Sequence, residues 1–473
     1  MMKALSPWDL AIICDGYWHF DQLPTNHFNS AKINSLEIQS DELFIALKGN
    51  NQDGHDFVKS LLPPAAAIVE RPMSFAQVPQ LIVESCHDAM NRLAGTFARE
   101  TNAIKIAVTG SVGKTGTKEL LANCLSYFGK THANKGNYNN HLGVPLTLLS
   151  MPSSLSFLIA ELGMNHAGEI APLSHLVRPN IAIITKIAES HIGHLRSLQA
   201  VAVEKADICA GMGSDSCIIL PRDDDHYFIL EQAAIDAKID NIVSFGKHSD
   251  STVQLLNREV CNASDSPEKQ VISIRILDKI HTLRLAMRAE HWAINALSVI
   301  TACHFMGLNI DEACVSLQNQ KELDGRGAET LLKFNNHSSI LIDDAYNSSP
   351  TSLRTALLDV ASRPGENKIF ILTDMLELGD YSDEMHSALV PDIIKAQPAC
   401  VILIGSAMKK IHNALKRSIL VHVFEDVDEA KSAIVPIATG SDIIFVKGSH
   451  GSGAYLLVQH LKSVSDMETK NVI

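Results

Sequence analysis

No run of apolar residues in this sequence approaches the ~18 needed to cross a bilayer, so insertion into a membrane is not expected. The first residues, MMKALSPWDLAIICDGYW, are broken by Asp9 and Asp15 and carry no small-residue cleavage site, which argues against a secretory leader. Positive charge is also short: Lys+Arg 40 against Asp+Glu 53 leaves a net charge of −13. That balance excludes a general nucleic-acid binder, which needs a positive field, but leaves room for local basic pockets that hold phosphates. Cysteine is present without pattern. Nine are scattered with no C-x-x-C, which fits reduced thiols in a cytoplasm better than disulfides or a zinc site. Disorder is excluded as well, since 46% of residues are hydrophobic and only 20% charged.

The 473 residues suggest roughly three domains at about 150 residues each. Residues 1–98 mix short strands and turns into a small α/β unit, closed by the helical pattern VESCHDAMNRLAGTFARE. Residues 99–322 show a βαβ rhythm, with short apolar strands in TNAIKIAVTG, FLIAELG, IAIITKI and SCIILP. Within them, TVQLLN, VISIRIL and HTLRLAM read as an antiparallel insert with NASDSPEK as a loop, and WAINALSVITACHFMG as the closing helix. Residues 323–473 are the most regular. SILIDDAY, KIFILTDM, CVILIG, LVHVFE and DIIFVKG read as five strands, alternating with helices such as TSLRTALLDVAS, DEMHSALVPDIIKA and DEAKSAIVPIA. The expectation is an α/β protein of three domains: a small α/β domain, a central P-loop ATPase-like parallel sheet with an antiparallel insert, and a Rossmann-like doubly wound domain.

The sharpest chemical signal lies between a hydrophobic strand and a helix: Gly110-Ser111-Val112-Gly113-Lys114-Thr115-Gly116. Backbone N–H groups in such a turn curl around phosphate oxygens, and the helix N-terminus adds positive potential. Lys114 would reach the β- and γ-phosphates and Thr115 would ligate Mg²⁺. The usual first glycine falls on Val108, so the loop is a shortened one. Glu161 ends a buried-type strand, where a carboxylate could hold Mg²⁺, and Asn165 and His166 follow on the same loop. GNYNNHLGVPLTLL, with Asn139 and Asn140, reads equally as a polar loop beside the phosphates and as an ordinary turn. His191 lies just past a strand and Lys205 on a helix, places where such residues are usually structural. Asn295, on a helix, could face adenine. Arg326 sits in a link from which it could swing onto a γ-phosphate. Asp343 and Asp344 end a strand and suit either a ribose contact or helix capping.

Taken together, GSVGKTGTKE, GNYNNHLGVPLTLL, AELGMNHAGEIA, EKADI, HWAINAL, DDAYNSSPTSLRTAL, TDMLELGDYSDEMH and VKGSH resemble the Mur ligase family, in family order and over nearly the whole chain. The resemblance is specific to the member that adds D-alanyl-D-alanine. It implies a cytoplasmic, monomeric enzyme of peptidoglycan precursor synthesis in which ATP phosphorylates the C-terminal carboxylate of UDP-N-acetylmuramoyl-tripeptide and the amine of D-Ala-D-Ala attacks the acyl phosphate. It further implies that Thr115 and Glu161 hold one Mg²⁺, and that His191 and Lys205 serve a second, with Lys205 carbamylated. Lys114, His191 and Lys205 are then the catalytic set. Asn295 would touch adenine, Arg326 the γ-phosphate and Asp344 the ribose, while Asn139, Asn140, Asn165, His166, Tyr346 and Asn347 would face substrate. The first domain would hold the uridine diphosphate and the third would bring the dipeptide. Two segments depart from the family. INSLEIQSDELF lacks the arginine of its uridine element, and His450-Gly451-Ser452 stands where arginine usually follows KGS. Other ligases of this architecture, a folylpolyglutamate synthetase among them, and a nucleotide-binding protein without ligase activity are the alternatives.

Overall fold

The computed structural model describes residues 4–19, 23–261, 269–334 and 337–470. Three sheets follow one another along the chain. The first has five short strands, with Tyr17–Trp18 antiparallel to Gln80–Ile82 and the rest parallel. The polar stretch after Glu42–Ile45 forms a 3-10 turn, Gly54–Ser60, capped by the Asp53 side chain. Helix Cys86–Glu100 then starts at Ser85, whose hydroxyl accepts from Asp88 N–H. Its buried face, including Leu93 and Phe97, shares one core with Leu10 and Leu43 of the first unit and with Leu148 and Leu158 of the second. Burial of each such side chain is worth ~1.5–3 kcal/mol, so this helix joins the two sheets firmly.

The central sheet has nine strands. Strand Ile104–Thr109 lies between Phe157–Glu161 and Ile181–Ile184, parallel to both. Chain order reverses there, with Thr131–Ala133 and Phe157–Glu161 on one side and everything after Ile181 on the other. Such a switch point splays the loops beyond the strands' carboxyl ends and opens a crevice for ligands. Cys217–Pro221 and Asn241–Gly246 continue the sheet in parallel. Val253–Val260, Gln270–Ile276 and Lys279–Leu285 extend it as the expected antiparallel meander. Of the loop NASDSPEK expected between the first two of these strands, residues 262–268 lie outside the described residues.

The third sheet has six strands in the order Ala328–Phe334, His337–Asp344, Ile443–Lys447, Lys368–Thr373, Cys400–Ile404, Leu420–Phe424. All five expected strands are present and parallel. Successive residues of Lys368–Thr373 feed two different cores, Phe370 and Leu372 on one face and Ile369 and Ile371 on the other. That double burial is why the strand reads as an unbroken apolar run. Ala328–Phe334, not among the expected strands, is a sixth strand, antiparallel at the edge. The single helix expected in DEMHSALVPDIIKA is two, Ser382–Ser387 and Val390–Lys395, and Pro391 stands in the first turn of the second. Proline has no N–H to continue the earlier helix but suits a helix start. Of the nine cysteines eight are buried, and Cys261 is partly exposed; none forms a disulfide.

Candidate active site

The glycine-rich loop leaves strand Ile104–Thr109 and enters helix Lys114–Phe128 through Gly113, whose φ of 89° favours glycine. Space as well as φ requires glycine. A Cβ on Gly110 would lie 1.9 Å from Thr185 Oγ1, one on Gly113 2.9 Å from Asn295 Oδ1, and one on Gly116 2.9 Å from the Trp292 ring. Asn295 therefore packs against the loop itself. The Thr185 hydroxyl donates to Val112 O at 2.6 Å and lies 3.2 Å from Thr109 O, fixing the bend from the neighbouring strand. Ser111 N–H donates to Lys186 O.

Lys114 folds back over the loop, with Nζ donating to Gly110 O at 2.7 Å. Burial holds its pKa below the usual lysine range, and the nearby charge of Glu161 partly offsets this. Glu161 is itself buried at the end of its strand. Its Oε1 accepts from Asn139 Nδ2 at 2.8 Å, while Oε2 has no partner. Lys205 Nζ is also buried and unpartnered; burial, with the Lys114 charge adding, depresses its pKa well below normal. An ammonium there would cost several kcal/mol, which favours the neutral amine at Lys205. The buried Ser111 hydroxyl likewise has no partner. Buried polar atoms without partners are rare, and these gather round Lys114.

The third unit supplies the opposite wall. Arg326 stacks its guanidinium 4.3 Å above the Tyr346 ring and donates to Thr115 Oγ1 at 3.0 Å. It occupies a turn between Gly325 and Gly327, both with positive φ, immediately before the edge strand. Asp344 is gripped by Lys447 Nζ at 2.7 Å, and the same Nζ donates to Asn347 O at 3.1 Å. Burial raises the Asp344 carboxyl, and Lys447 counteracts that. His191 Nδ1 lies 2.8 Å from Glu377 Oε2, across the boundary between units.

Lys114, Thr115, Glu161, Asn139, His191, Lys205, Asn295 and Arg326 are thus drawn to one crevice. Other expected residues have different surroundings. Asn140 is exposed and spends Oδ1 accepting from Leu142 and Gly143 N–H. Asn165 and His166 are exposed on a turn whose backbone donates to Glu169, and the His166 ring meets His194 at 4.6 Å. Sequence reasoning did not single out Lys118, Asn134, Thr185, Glu377 or Lys447. Lys118 is fully buried and donates to Asn134 O at 2.8 Å and Gly136 O at 3.1 Å, tying the GNYNN loop to the phosphate helix. Its place one turn after Lys114, four residues on, is the signal that was available.

Among the described residues no group of three or more His, Cys, Asp or Glu could hold a metal. A divalent ion here would need the Thr115 hydroxyl, the free Glu161 oxygen and phosphate oxygens. Those are hard donors of the kind Mg²⁺ prefers, so the residues fit it.

A strand–loop–helix phosphate cradle at a sheet switch, facing an arginine from a second α/β unit, defines a nucleotide-dependent enzyme assembled across two units. The model of the Mur ligase middle domain matches residues 108–303, and that of the Mur ligase, glutamate ligase domain matches residues 331–450. The chain belongs to the Mur ligase family and is a ligase. It is similar to the UDP-N-acetylmuramoyl-tripeptide--D-alanyl-D-alanine ligase of Rickettsia prowazekii, 33% identical over 89% of this chain and 93% of that one. The enzyme of the same name from Bacillus subtilis is 34% identical over 74% of each chain. The crystal structure of MurF from Acinetobacter baumannii superposes with a TM-score of 0.85 at 27% identity, covering 97% of this chain and 99% of that one.

Proposed function

We propose that the chain joins D-alanyl-D-alanine to the C-terminal carboxylate of UDP-N-acetylmuramoyl-tripeptide, using ATP and Mg²⁺, as a cytoplasmic monomer. The observation that carries this reading is Arg326, which reaches from the third unit to Thr115 on the phosphate helix. Two anions, a carboxylate and a triphosphate, must meet, and Lys114 and Arg326 bring positive charge from opposite sides. A carboxylate is a poor electrophile; phosphorylation supplies a leaving group, and the amine then displaces phosphate. Bound Mg²⁺ would neutralise phosphate charge, held by Thr115 and Glu161. The neutral, unpartnered amine of Lys205 is the form able to add CO₂, and a carbamate would give His191 an oxygen ligand as companion at a second ion. Asp344, fixed by Lys447, is suited to a ribose hydroxyl. The division into functions follows residues 1–98 for the uridine diphosphate end, 99–322 for ATP and 323–473 for the dipeptide.

The test is phosphate release from ATP with each substrate omitted in turn. Release that needs both UDP-N-acetylmuramoyl-tripeptide and D-Ala-D-Ala is expected. Release with a different acid or amine, or nucleotide binding with no release, would overturn the reading.

A further inference from the structure

Resting on that reading, we propose that Glu377 is a positioning residue of the catalytic centre: it orients the His191 ring from the third unit, so that the metal side of the site is complete only when that unit is docked. The 2.8 Å approach of Glu377 Oε2 to His191 Nδ1 is the first observation. The contact is an ion-pair approach with no formed hydrogen bond, and among the described residues Nδ1 has no other partner; a carboxylate so placed favours the proton on Nδ1 and leaves the lone pair on Nε2, the tautomer a metal-facing imidazole needs.

The backbone around the pair is built for this contact. His191 and Glu377 are both non-glycine residues in left-handed conformation, with φ of 64° and 65°. Each such conformation is strained and persists where its surroundings enforce it, typically at functional sites. Beside them the two chains touch through glycine: a Cβ on Gly193 would lie 2.6 Å from Gly379 N, and one on Gly379 2.9 Å from Gly193 Cα. Gly193 N–H donates to Glu377 O, and the Tyr381 hydroxyl donates to Arg196 O at 3.2 Å. Ile192, next to His191 in the central unit, is buried in the core of the third unit with Met375 and Leu378. Docking that segment and aiming that ring are therefore one event.

The test compares Glu377→Ala, Glu377→Gln and Tyr381→Phe. Tyr381→Phe removes a docking bond without touching His191. Mn²⁺ binding in the presence of ADP, followed by electron paramagnetic resonance, gives a readout that does not depend on turnover. Glu377→Ala should weaken Mn²⁺ binding about tenfold, the low end of what losing such a ligand-orienting partner costs. Glu377→Gln, which keeps an acceptor oxygen facing Nδ1, should recover part of it, and Tyr381→Phe should bind as wild type does. In turnover assays the same order should appear in the Mg²⁺ dependence, with the KM for ATP within about twofold. Equal losses in Glu377→Ala and Tyr381→Phe would reduce the pair to a structural clasp, and wild-type binding in Glu377→Ala would remove the role altogether; both outcomes overturn the inference. Because metal binding is read directly, a wild-type chain that bound Mn²⁺ but made no peptide would count against the ligase reading alone.

Discussion

Side chains in the crevice differ in what they have left to bond with. Among the described residues Lys114 hydrogen-bonds only to its own loop, at Gly110 O, so its removal should cost the fold little and the chemistry nearly everything. Lys114→Ala is expected to form no ADP while unfolding at a temperature close to wild type, checked by a coupled ADP assay and thermal melting. Lys205→Ala should lose almost all turnover, and short carboxylates such as formate should restore part of it by standing in for a carbamate. No restoration by any of them, with metal binding unchanged, would count against a role beside the second ion. Glu322 lies away from the chemistry, near the junction with the edge strand. Burial, with Glu329 adding, pushes its carboxyl from 4.5 up to about 7. A carboxyl raised on folding stabilises fully below about 4.5, and that contribution is lost as pH rises through about 7. Glu322→Gln should therefore gain on wild type in melting temperature as pH goes from 5 to 8, and a constant difference would contradict this.

Legibility in the sequence tracked how local each element's cause is. The loop Gly110–Gly116 and the buried strands announce themselves because their patterns depend on neighbours within a few residues. Ala328–Phe334 does not: its exposed and buried residues are set by pairing with His337–Asp344 at a sheet edge, so it is absent from the expected strands, although Arg326 just before it stands out. Glu377, Thr185 and Lys447 were missed because each acts on a partner far along the chain, at His191, Val112 and Asp344. Glu161 and Lys205 were found, but only the fold reveals why they matter, namely a buried atom left without a partner on each, Glu161 Oε2 and Lys205 Nζ. Lys118 gives a prediction at this scale. Replacing it with Met should untie Asn134 and Gly136 from the phosphate helix and cost roughly 2–3 kcal/mol in urea unfolding, as expected for lost bonds to a charged donor. A cost near zero would mean the GNYNN loop holds itself.

The three units are not equally independent. The first and second share a hydrophobic core through helix Cys86–Glu100. Among the described residues, the second and third meet through polar bonds and through Ile192, with Leu198 packed beside it, in the third unit's core. Motion at the second junction is accordingly the one expected to gate turnover. Glu189 is a main fastener there, accepting from the Thr351 hydroxyl at 2.6 Å at the start of helix Pro350–Ala361 and lying 3.6 Å from Arg354. Glu189→Ala should enlarge the radius of gyration in small-angle scattering and raise the KM for the amine substrate several-fold, leaving nucleotide affinity nearly unchanged. An unaltered scattering curve would show the junction to be held elsewhere.

The arrangement of thiols has a practical outcome for following that motion. With eight cysteines enclosed and Cys261 alone partly open, on the antiparallel extension of the central sheet, a maleimide dye should attach there first. One fluorophore placed on the natural sequence, paired with a second on an engineered cysteine in the third unit, would then follow the approach of the two halves in real time.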